Sequence, residues 1–312
     1  MILSVSRRTD IPCRFTPWFL NRLRAGYALV RNPLRPSQVS RVPLTPEAVE
    51  CIVFWSKDPA PLVPHLGELE ERGYPFYFQF TLTPYGRDLE PGLRDKGDIE
   101  ATFQALSRRV GRERVLWRYD PVVLTERYPL AWHRAAFEAM CARLAPYTAS
   151  VTISFLDLYP RLRSLGLQVP ETGEVQALAA AFAASARQRG LDIRACAEPW
   201  DLTPYGIRPA ACIDGALIAR LTGREVIARP DRSQRPACGC LESVDIGAYN
   251  TCPNGCLYCY ADHGRLLAPH DPEGELLTGT LRPGDQVRDR ACRPALSRQT
   301  SLFPQEWGLS GR

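Results

Sequence analysis

Short apolar runs rich in β-branched and aromatic residues recur along the whole chain, and each fits one buried strand. The runs cover residues 2–5, 51–55, 76–80, 115–117, 151–155, 193–197 and 244–248. Stretches between them predict helices, because they follow a capping residue or end just before a glycine. These stretches are residues 18–25, 61–72, 99–110, 130–144 and 174–189. Alternating strands and helices predict a parallel sheet, and about seven such units favour an α/β fold of the TIM type, a (β/α) barrel or partial barrel.

The length and composition agree with one barrel-sized domain or two ordinary ones. The chain has 312 residues, of which 45% are hydrophobic, and no apolar run approaches the length of a membrane span. Eleven cysteines without a signal segment indicate reduced thiols and a cytoplasmic protein. We expect a barrel over residues 1–248, a cysteine loop over 249–267 and an irregular tail over 268–312.

The formal net charge is +5, and nearly all of the positive charge comes from arginine, because Lys57 and Lys96 are the only lysines. Arginine stacks on bases and binds phosphates with two hydrogen bonds. The composition therefore permits a nucleic-acid or phosphorylated substrate without requiring one.

Charged residues accumulate where the predicted strands end. In a parallel barrel these ends face one mouth, where active sites are built. Charges that emerge directly from a buried strand need partners or a function. The candidate catalytic residues chosen on this basis are Arg8, Asp10, Lys57, Arg118, Asp120 and Glu198. The alternative for any single one of them is a helix cap or an ordinary loop residue.

Three cysteines, Cys252, Cys256 and Cys259, lie in one short run with three and then two residues between them. Three thiolates on a tight loop can each hold one iron of a 4Fe–4S cluster and leave the fourth iron without a protein ligand. An open metal position is a place for chemistry, as it is at catalytic zinc sites. The alternative is a structural zinc site, which His263 lies close enough in sequence to complete.

This run, with the aromatic Tyr258 before its third cysteine, resembles the cluster loop of the radical S-adenosylmethionine enzymes. The resemblance implies that S-adenosylmethionine chelates the open iron, that Tyr258 contacts its adenine, and that an electron donor such as flavodoxin or ferredoxin reduces the cluster. It also implies a 5′-deoxyadenosyl radical that abstracts hydrogen from a substrate. In those enzymes the loop follows the first strand, whereas here it follows the last predicted strand. The first and last strands of a barrel are neighbours, so the loop can occupy an equivalent place.

The loop alone is also similar to that of spore photoproduct lyase, which reverses a thymine lesion in DNA. The whole chain resembles a bacterial family known only as a domain of unknown function, whose C-terminal cysteines have been compared with the radical S-adenosylmethionine superfamily. The likeness lies in residues 5–12, 54–59, 117–121 and 245–252. This family brings no reaction with it, so the substrate stays open.

Other cysteines predict a second site. Cys238 and Cys240 are separated by one glycine and lie among polar residues, so packing in a core does not explain them. With Cys196 and Cys212 they could hold a second iron–sulfur cluster or a structural zinc. The alternative is that Cys196 and Cys212 are ordinary small buried residues.

Near the C-terminus, Gln299, Leu302 and Phe303 lie in the sequence QTSLF. It resembles the motif that docks bacterial polymerases and mismatch-repair proteins onto the DNA sliding clamp. The resemblance implies that Leu302 and Phe303 fill an apolar pocket of the clamp, and it favours a nucleic-acid substrate and a repair role. Two other classes of function stay open: an iron–sulfur redox or electron-transfer protein, and a zinc-stabilised module that binds nucleic acid.

Overall fold

The computed structural model describes residues 1–157, 159, 162–163, 165, 167–262 and 268–298. Its fold is α/β. In chain order the strands are β1 (Ile2–Val5), β2 (Tyr27–Arg31), β3 (Gln38–Pro43), β4 (Cys51–Ser56), β5 (Phe76–Thr81), β6 (Val115–Val122), β7 (Ser150–Phe155), β8 (Asp192–Ala195), β9 (Arg208–Pro209), β10 (Val244–Asp245) and β11 (Gln286–Asp289). Each of the seven predicted apolar runs therefore contains a strand.

Eight of these strands form the main sheet, in the order β10-β1-β4-β5-β6-β7-β8-β9. All of its neighbouring pairs are parallel, so the predicted parallel sheet is confirmed. Side chains alternate between its two faces, as strand geometry requires. In β4, for example, Ile52 and Phe54 belong to the larger core, whereas Cys51 and Val53 belong to a smaller core on the other face.

Long helices cover the face with the larger core. The helices of the described chain include Ile11–Arg14, Thr16–Ala25, Leu66–Glu71, Lys96–Val110, Leu130–Leu144, Thr172–Gln188 and Gly215–Thr222. Phe103, Phe137 and Phe182, from three successive long helices, are fully buried in that core. Within the described residues, no helix is both long enough and apolar enough to cross a membrane.

The main sheet is open, so the predicted closure into a barrel is not found. Its edge strands, β9 and β10, have two residues each and do not pair with one another in the described part of the chain. The second face already has its own cover, because Leu217, Cys240 and Leu296 pack there against residues of β1, β4 and β5. The first and last predicted strands are nevertheless neighbours, as expected, because β1 pairs with β10 and Leu3 is in register with Val244.

A second sheet contains β2, β3 and β11. β2 and β3 form an antiparallel hairpin, and β11 adds to β3 in the parallel direction. Apart from β11 and isolated bridges, residues 268–298 consist of loops and turns. Leu276 and Leu277 are buried, and the Trp18 indole donates a hydrogen bond to the Gly274 carbonyl at 2.9 Å. This segment therefore packs against the N-terminal half of the chain although it has little local periodicity.

Candidate functional site

A cavity of about 730 Å³ opens at the carboxyl ends of the main-sheet strands. Its wall contains residues that end or directly follow β1, β4, β5, β6, β7, β8 and β10, and residues of the cysteine loop. The candidates from the sequence that line it are Arg8, Asp10, Lys57, Arg118, Asp120, Cys196, Cys238, Cys240, Cys252, Cys256, Tyr258 and Cys259. Among the described candidates, Glu198 alone lies outside the lining. The parallel sheet thus brings distant segments to one site.

The cysteine loop is held at this cavity by the N-terminal segment. Asn254 accepts a hydrogen bond from Arg14 (Nε to Oδ1, 2.6 Å) and donates one to Asp10 (Nδ2 to Oδ2, 3.3 Å). Inside the loop, the backbone N–H of Cys259 donates to the carbonyl of Cys256 at 3.1 Å. Gly255 adopts a φ of 64°, which glycine tolerates best. This tight turn lets all three cysteines face the same cavity.

The three thiols of the loop are the side chains that could hold a metal ion or a cluster at this cavity. No group of three or more His, Cys, Asp or Glu side chains within the described ranges is placed to hold one ion. In a 4Fe–4S cluster each thiolate binds a different iron, so its ligands need not converge on one point. Burial raises the pKa of Cys252 to about 12 and also raises the pKa of Cys256 and Cys259, so iron binding would release protons. His263, suggested for a zinc site, lies outside the described residues.

Beside the loop, Glu90 pairs with both lysines of the chain. Lys57 Nζ lies 2.8 Å from Oε1, and Lys96 Nζ contacts Oε2. The Tyr258 hydroxyl donates to the same carboxylate and accepts a hydrogen bond from Lys57 at 2.9 Å. Burial alone would raise the pKa of Glu90, but the two ammonium groups lower it to about 2. The network therefore fixes a charged Lys57 and the Tyr258 ring in the cavity wall.

Arg118 and Asp120 lie within β6 and form an ion pair, in which the Arg118 side chain is buried and the Asp120 side chain is 23% exposed. Arg118 Nε donates to Asp120 Oδ2 at 3.0 Å, and Arg118 Nη1 lies 2.6 Å from the sulfur of Cys212. The guanidinium also lies 5.3 Å from the centre of the Trp55 ring. Burial opposes the charge, yet Asp120 and Cys212 raise the pKa of Arg118 well above its ordinary value. A fixed positive charge therefore lies at the cavity wall beside a thiol.

Arg8 and Asp10 follow β1 but have different environments. Asp10 is buried, and it accepts hydrogen bonds from the Ser56 hydroxyl at 2.6 Å and from the Lys57 N–H at 2.8 Å. The Arg8 guanidinium lies 5.4 Å from the Tyr249 ring centre and has no ionic partner among the described residues. Asp10 thus joins the elements around the cavity, whereas Arg8 presents its charge at the rim.

Glu198 follows β8 but supports the neighbouring strand. Its Oε1 accepts a hydrogen bond from the Phe155 N–H at 2.9 Å. Burial, reinforced by the negative charges of Asp157 and Asp120, raises the pKa of Glu198 from 4.5 to about 8. At neutral pH this carboxyl is therefore largely protonated.

Two residues that organise the site, Glu90 and Asp245, were not among the sequence candidates. Asp245 ends β10 and accepts hydrogen bonds from the hydroxyls of Ser4 and Ser6 at 2.7 and 2.6 Å. Its available signal was different from that of the other candidates, because it is a charge inside the predicted apolar run 244–248. Glu90 lies in a loop after β5. The available sequence signal was that the chain has only two lysines and that this acid lies near one of them.

The remaining cysteines of the cavity come from three segments. Cys196 follows β8, Cys212 follows β9, and Cys238 and Cys240 precede β10. The sulfur atoms of Cys196 and Cys212 are 3.6 Å apart. A hydrogen bond with Cys240 lowers the pKa of Cys238 to about 7. The structure therefore gathers the thiols that the sequence assigned to a second site, although they too form no single-ion site within the described chain.

These observations define a class: an α/β protein whose parallel sheet ends in a cavity lined by cysteines and charged residues. The chain belongs to the family described as Domain of unknown function (DUF1848), whose model matches residues 2–261. The matched region contains the whole main sheet and the three loop cysteines. No curated protein and no solved structure gives a significant match to the chain.

Proposed function

We propose that this protein is a radical S-adenosylmethionine-type enzyme that holds a 4Fe–4S cluster on Cys252, Cys256 and Cys259. The observation that carries the proposal is that one tight loop presents three thiols to the same cavity as the charged strand ends. When bound, such a cluster with S-adenosylmethionine would supply a 5′-deoxyadenosyl radical for hydrogen abstraction. The cavity, at about 730 Å³, lies within the range of about 300–1,000 Å³ that is typical of ligand sites. A simple electron carrier needs no such cavity.

Residues of the chain would assist in two ways. Lys57 keeps its charge because Glu90 is paired with it, and this charge acts to lower the pKa of the Cys256 thiol. A cation beside a cysteine favours the thiolate, which is the form that binds metal. Arg118 and Asp120 lie further along the cavity wall, where they can contact a substrate. The first pair therefore prepares the cluster loop, and the second pair is assigned to the substrate.

Anaerobic reconstitution of the full chain with iron and sulfide tests the cluster. We expect about four irons per chain and an electron paramagnetic resonance spectrum that changes when S-adenosylmethionine is added. Replacing Cys252, Cys256 or Cys259 by Ala should abolish both signals. Cys292→Ala, at a partly exposed cysteine outside the cavity lining, serves as the matched control and should change neither. A protein that takes up only zinc, or a cluster whose spectrum ignores S-adenosylmethionine, would overturn the proposal.

Exposed tyrosines at the cavity rim support nucleic acid as the substrate class. Tyr159, Tyr249 and Tyr260 line the cavity and expose 39%, 36% and 43% of their surface. The ring centres of Tyr159 and Tyr260 are 5.9 Å apart, and the Arg8 guanidinium lies over the ring of Tyr249. Exposed aromatic rings combined with arginine are typical of surfaces that stack unpaired bases. We therefore propose that a single-stranded or flipped-out nucleotide enters here.

Fluorescence anisotropy with a labelled single-stranded oligonucleotide tests this substrate class. Stacking contributes about 1–3 kcal/mol per base, so replacing both Arg8 and Tyr249 by Ala should weaken binding about tenfold or more. The matched control replaces Arg108 and Tyr147, a similar pair with the guanidinium 5.3 Å from the ring centre but outside the cavity lining. Equal affinities in the two double variants would exclude the rim as the binding surface.

A further inference from the structure

Cys196 and Cys212 are paired in a way that the proposed cluster does not use. Their sulfur atoms are 3.6 Å apart, and both side chains line the cavity. They come from different segments, one after β8 and the other after β9, and they are held together because those two strands pair in parallel. Neither thiol is in a disulfide. A disulfide has an S–S distance of about 2.05 Å, so bond formation needs an approach of roughly 1.6 Å, which side-chain rotation can supply.

The surroundings favour thiol chemistry over a second metal at this pair. The Arg118 guanidinium lies 2.6 Å from the sulfur of Cys212, and a fixed positive charge repels a metal cation while it stabilises a thiolate. Simple core packing explains the pair no better, because Cys196 is only half-buried and neighbours the charged Arg235.

We propose that Cys196 and Cys212 form a redox-active dithiol that reduces a small disulfide entering the cavity. The thiolate of Cys196, the more exposed of the two, attacks one sulfur of the incoming disulfide. That S–S bond breaks, and the released thiolate takes up a proton. The Cys212 thiol, whose deprotonation the neighbouring Arg118 charge assists, then attacks the sulfur of Cys196, closes the Cys196–Cys212 disulfide and passes its proton to the departing sulfur, which leaves as the second thiol. The cysteine pair loses two electrons and two protons, and the incoming disulfide gains both.

The test uses the full-length protein and glutathione buffers at pH 8, from fully reduced to fully oxidised, under anaerobic conditions. After acid quenching and alkylation, mass spectrometry of peptides measures the fraction with a Cys196–Cys212 link. We expect this fraction to rise from about one tenth to about nine tenths over a roughly hundredfold change in the ratio of oxidised to squared reduced glutathione, as a two-electron couple requires. This readout needs neither cluster nor S-adenosylmethionine, so it should persist in the Cys252→Ala variant.

Variants identify the order of attack. Cys212→Ser should trap a glutathione adduct on Cys196, whereas Cys196→Ser should form neither the adduct nor the link. Cys292→Ser is the control and should leave the titration of the pair unchanged. The proposal is wrong if both cysteines are alkylated independently in every buffer, or if the link joins Cys238 to Cys240 instead. It is also wrong if the isolated protein holds a metal that Cys196→Ser removes while iron uptake by the Cys252 loop is intact.

Discussion

At the scale of single residues, Glu90 is the acid whose loss we expect to be most costly. Its fully buried carboxylate is shared by Lys57 and Lys96, whose side chains are 16% and 29% exposed. Glu90→Gln leaves both ammonium groups without a counter-charge. Removing one partner of a buried pair costs about 3–5 kcal/mol, so the free energy of unfolding in urea should fall by about that amount.

The control for Glu90 is Glu100→Gln, because Glu100 pairs with Arg143, whose side chain is 50% exposed. Such a pair contributes only about 0–1 kcal/mol. Equal losses of unfolding free energy in the two variants would show that the Glu90 network does not stabilise the fold.

Glu198 predicts a pH dependence of stability. Burial raises its pKa from 4.5 to about 8 in the folded protein, so folding favours the protonated form. The associated stability is fully present below pH 4.5 and is lost as the pH rises towards about 8. At pH 8.5 we expect the free energy of unfolding of Glu198→Gln to exceed that of wild type by about 1–3 kcal/mol, after allowance for partial exposure. At pH 5 the two values should differ little. Glu71→Gln, at an exposed position, should follow wild type at both pH values.

Sequence alone predicts those site residues whose position follows from the direction of a strand. Lys57 directly follows β4, and Arg118 and Asp120 lie in the second half of β6, so the parallel sheet sends all three to the same edge. Glu90 could not be found in that way, because its role depends on a loop folding back against Lys57 and Tyr258. The pairing of Arg118 with Cys212 depends on segments 94 residues apart, which local sequence does not encode.

At the scale of elements, Gly92 and the cysteine loop approach each other closely through their backbones. A Cβ atom at Gly92 would lie 2.7 Å from the carbonyl oxygens of both Pro253 and Asn254. Gly92→Ala must therefore displace backbone, and overpacking of this kind costs about 1–3 kcal/mol. We expect the free energy of unfolding in urea to fall by that amount, and the Cys252 thiol to be alkylated faster than in wild type.

Gly67→Ala is the matched control, because nothing lies within 4 Å of the added atom and the residue belongs to the helix Leu66–Glu71. Alanine there should stabilise by about 0.5–1 kcal/mol through helix propensity. A Gly92→Ala variant as stable as wild type would mean that the loop is not fixed by this contact.

Elements with continuous apolar sequence were predicted closely, and short or half-exposed ones were missed. β1 and the helix Leu130–Leu144 have the expected bounds. β2 and β3 mix buried with partly exposed residues, all four residues of β11 are exposed, and β9 and β10 have two residues each, so little local pattern marks these strands. Their pairing depends on tertiary contacts that only the folded chain supplies.

At the scale of the whole molecule, segments near the beginning and near the end of the described chain meet beside β1 and Glu50. β10 lies beside β1, and Glu50 accepts hydrogen bonds from the N-terminal ammonium group and from the N–H groups of Ala295 and Leu296. The sequence indicated the number of strand–helix units but not whether the sheet closes. Closure depends on what covers the second face, and here Leu217 and Leu296 come from segments that the sequence analysis assigned to no strand or helix.

Two shortened chains test how far the C-terminal part belongs to the fold. A chain ending at residue 267 loses β11, the Arg31–Asp285 ion pair at 2.7 Å and the buried Leu276, Leu277 and Leu296. Each buried leucine contributes about 1.5–3 kcal/mol, so we expect a loss of at least about 4 kcal/mol and a clearly lower melting temperature. A chain ending at residue 298 keeps every described contact and should melt like the full chain.

The sliding-clamp motif, with Gln299, Leu302 and Phe303, lies outside the described residues and stays a prediction, but the same pair of chains tests it. If the motif is real, the chain ending at residue 298 keeps its stability and loses micromolar binding to a bacterial clamp. Equal clamp binding by that chain and the full protein would exclude the motif, and equal stability of the chain ending at residue 267 would exclude residues 268–298 from the folded core.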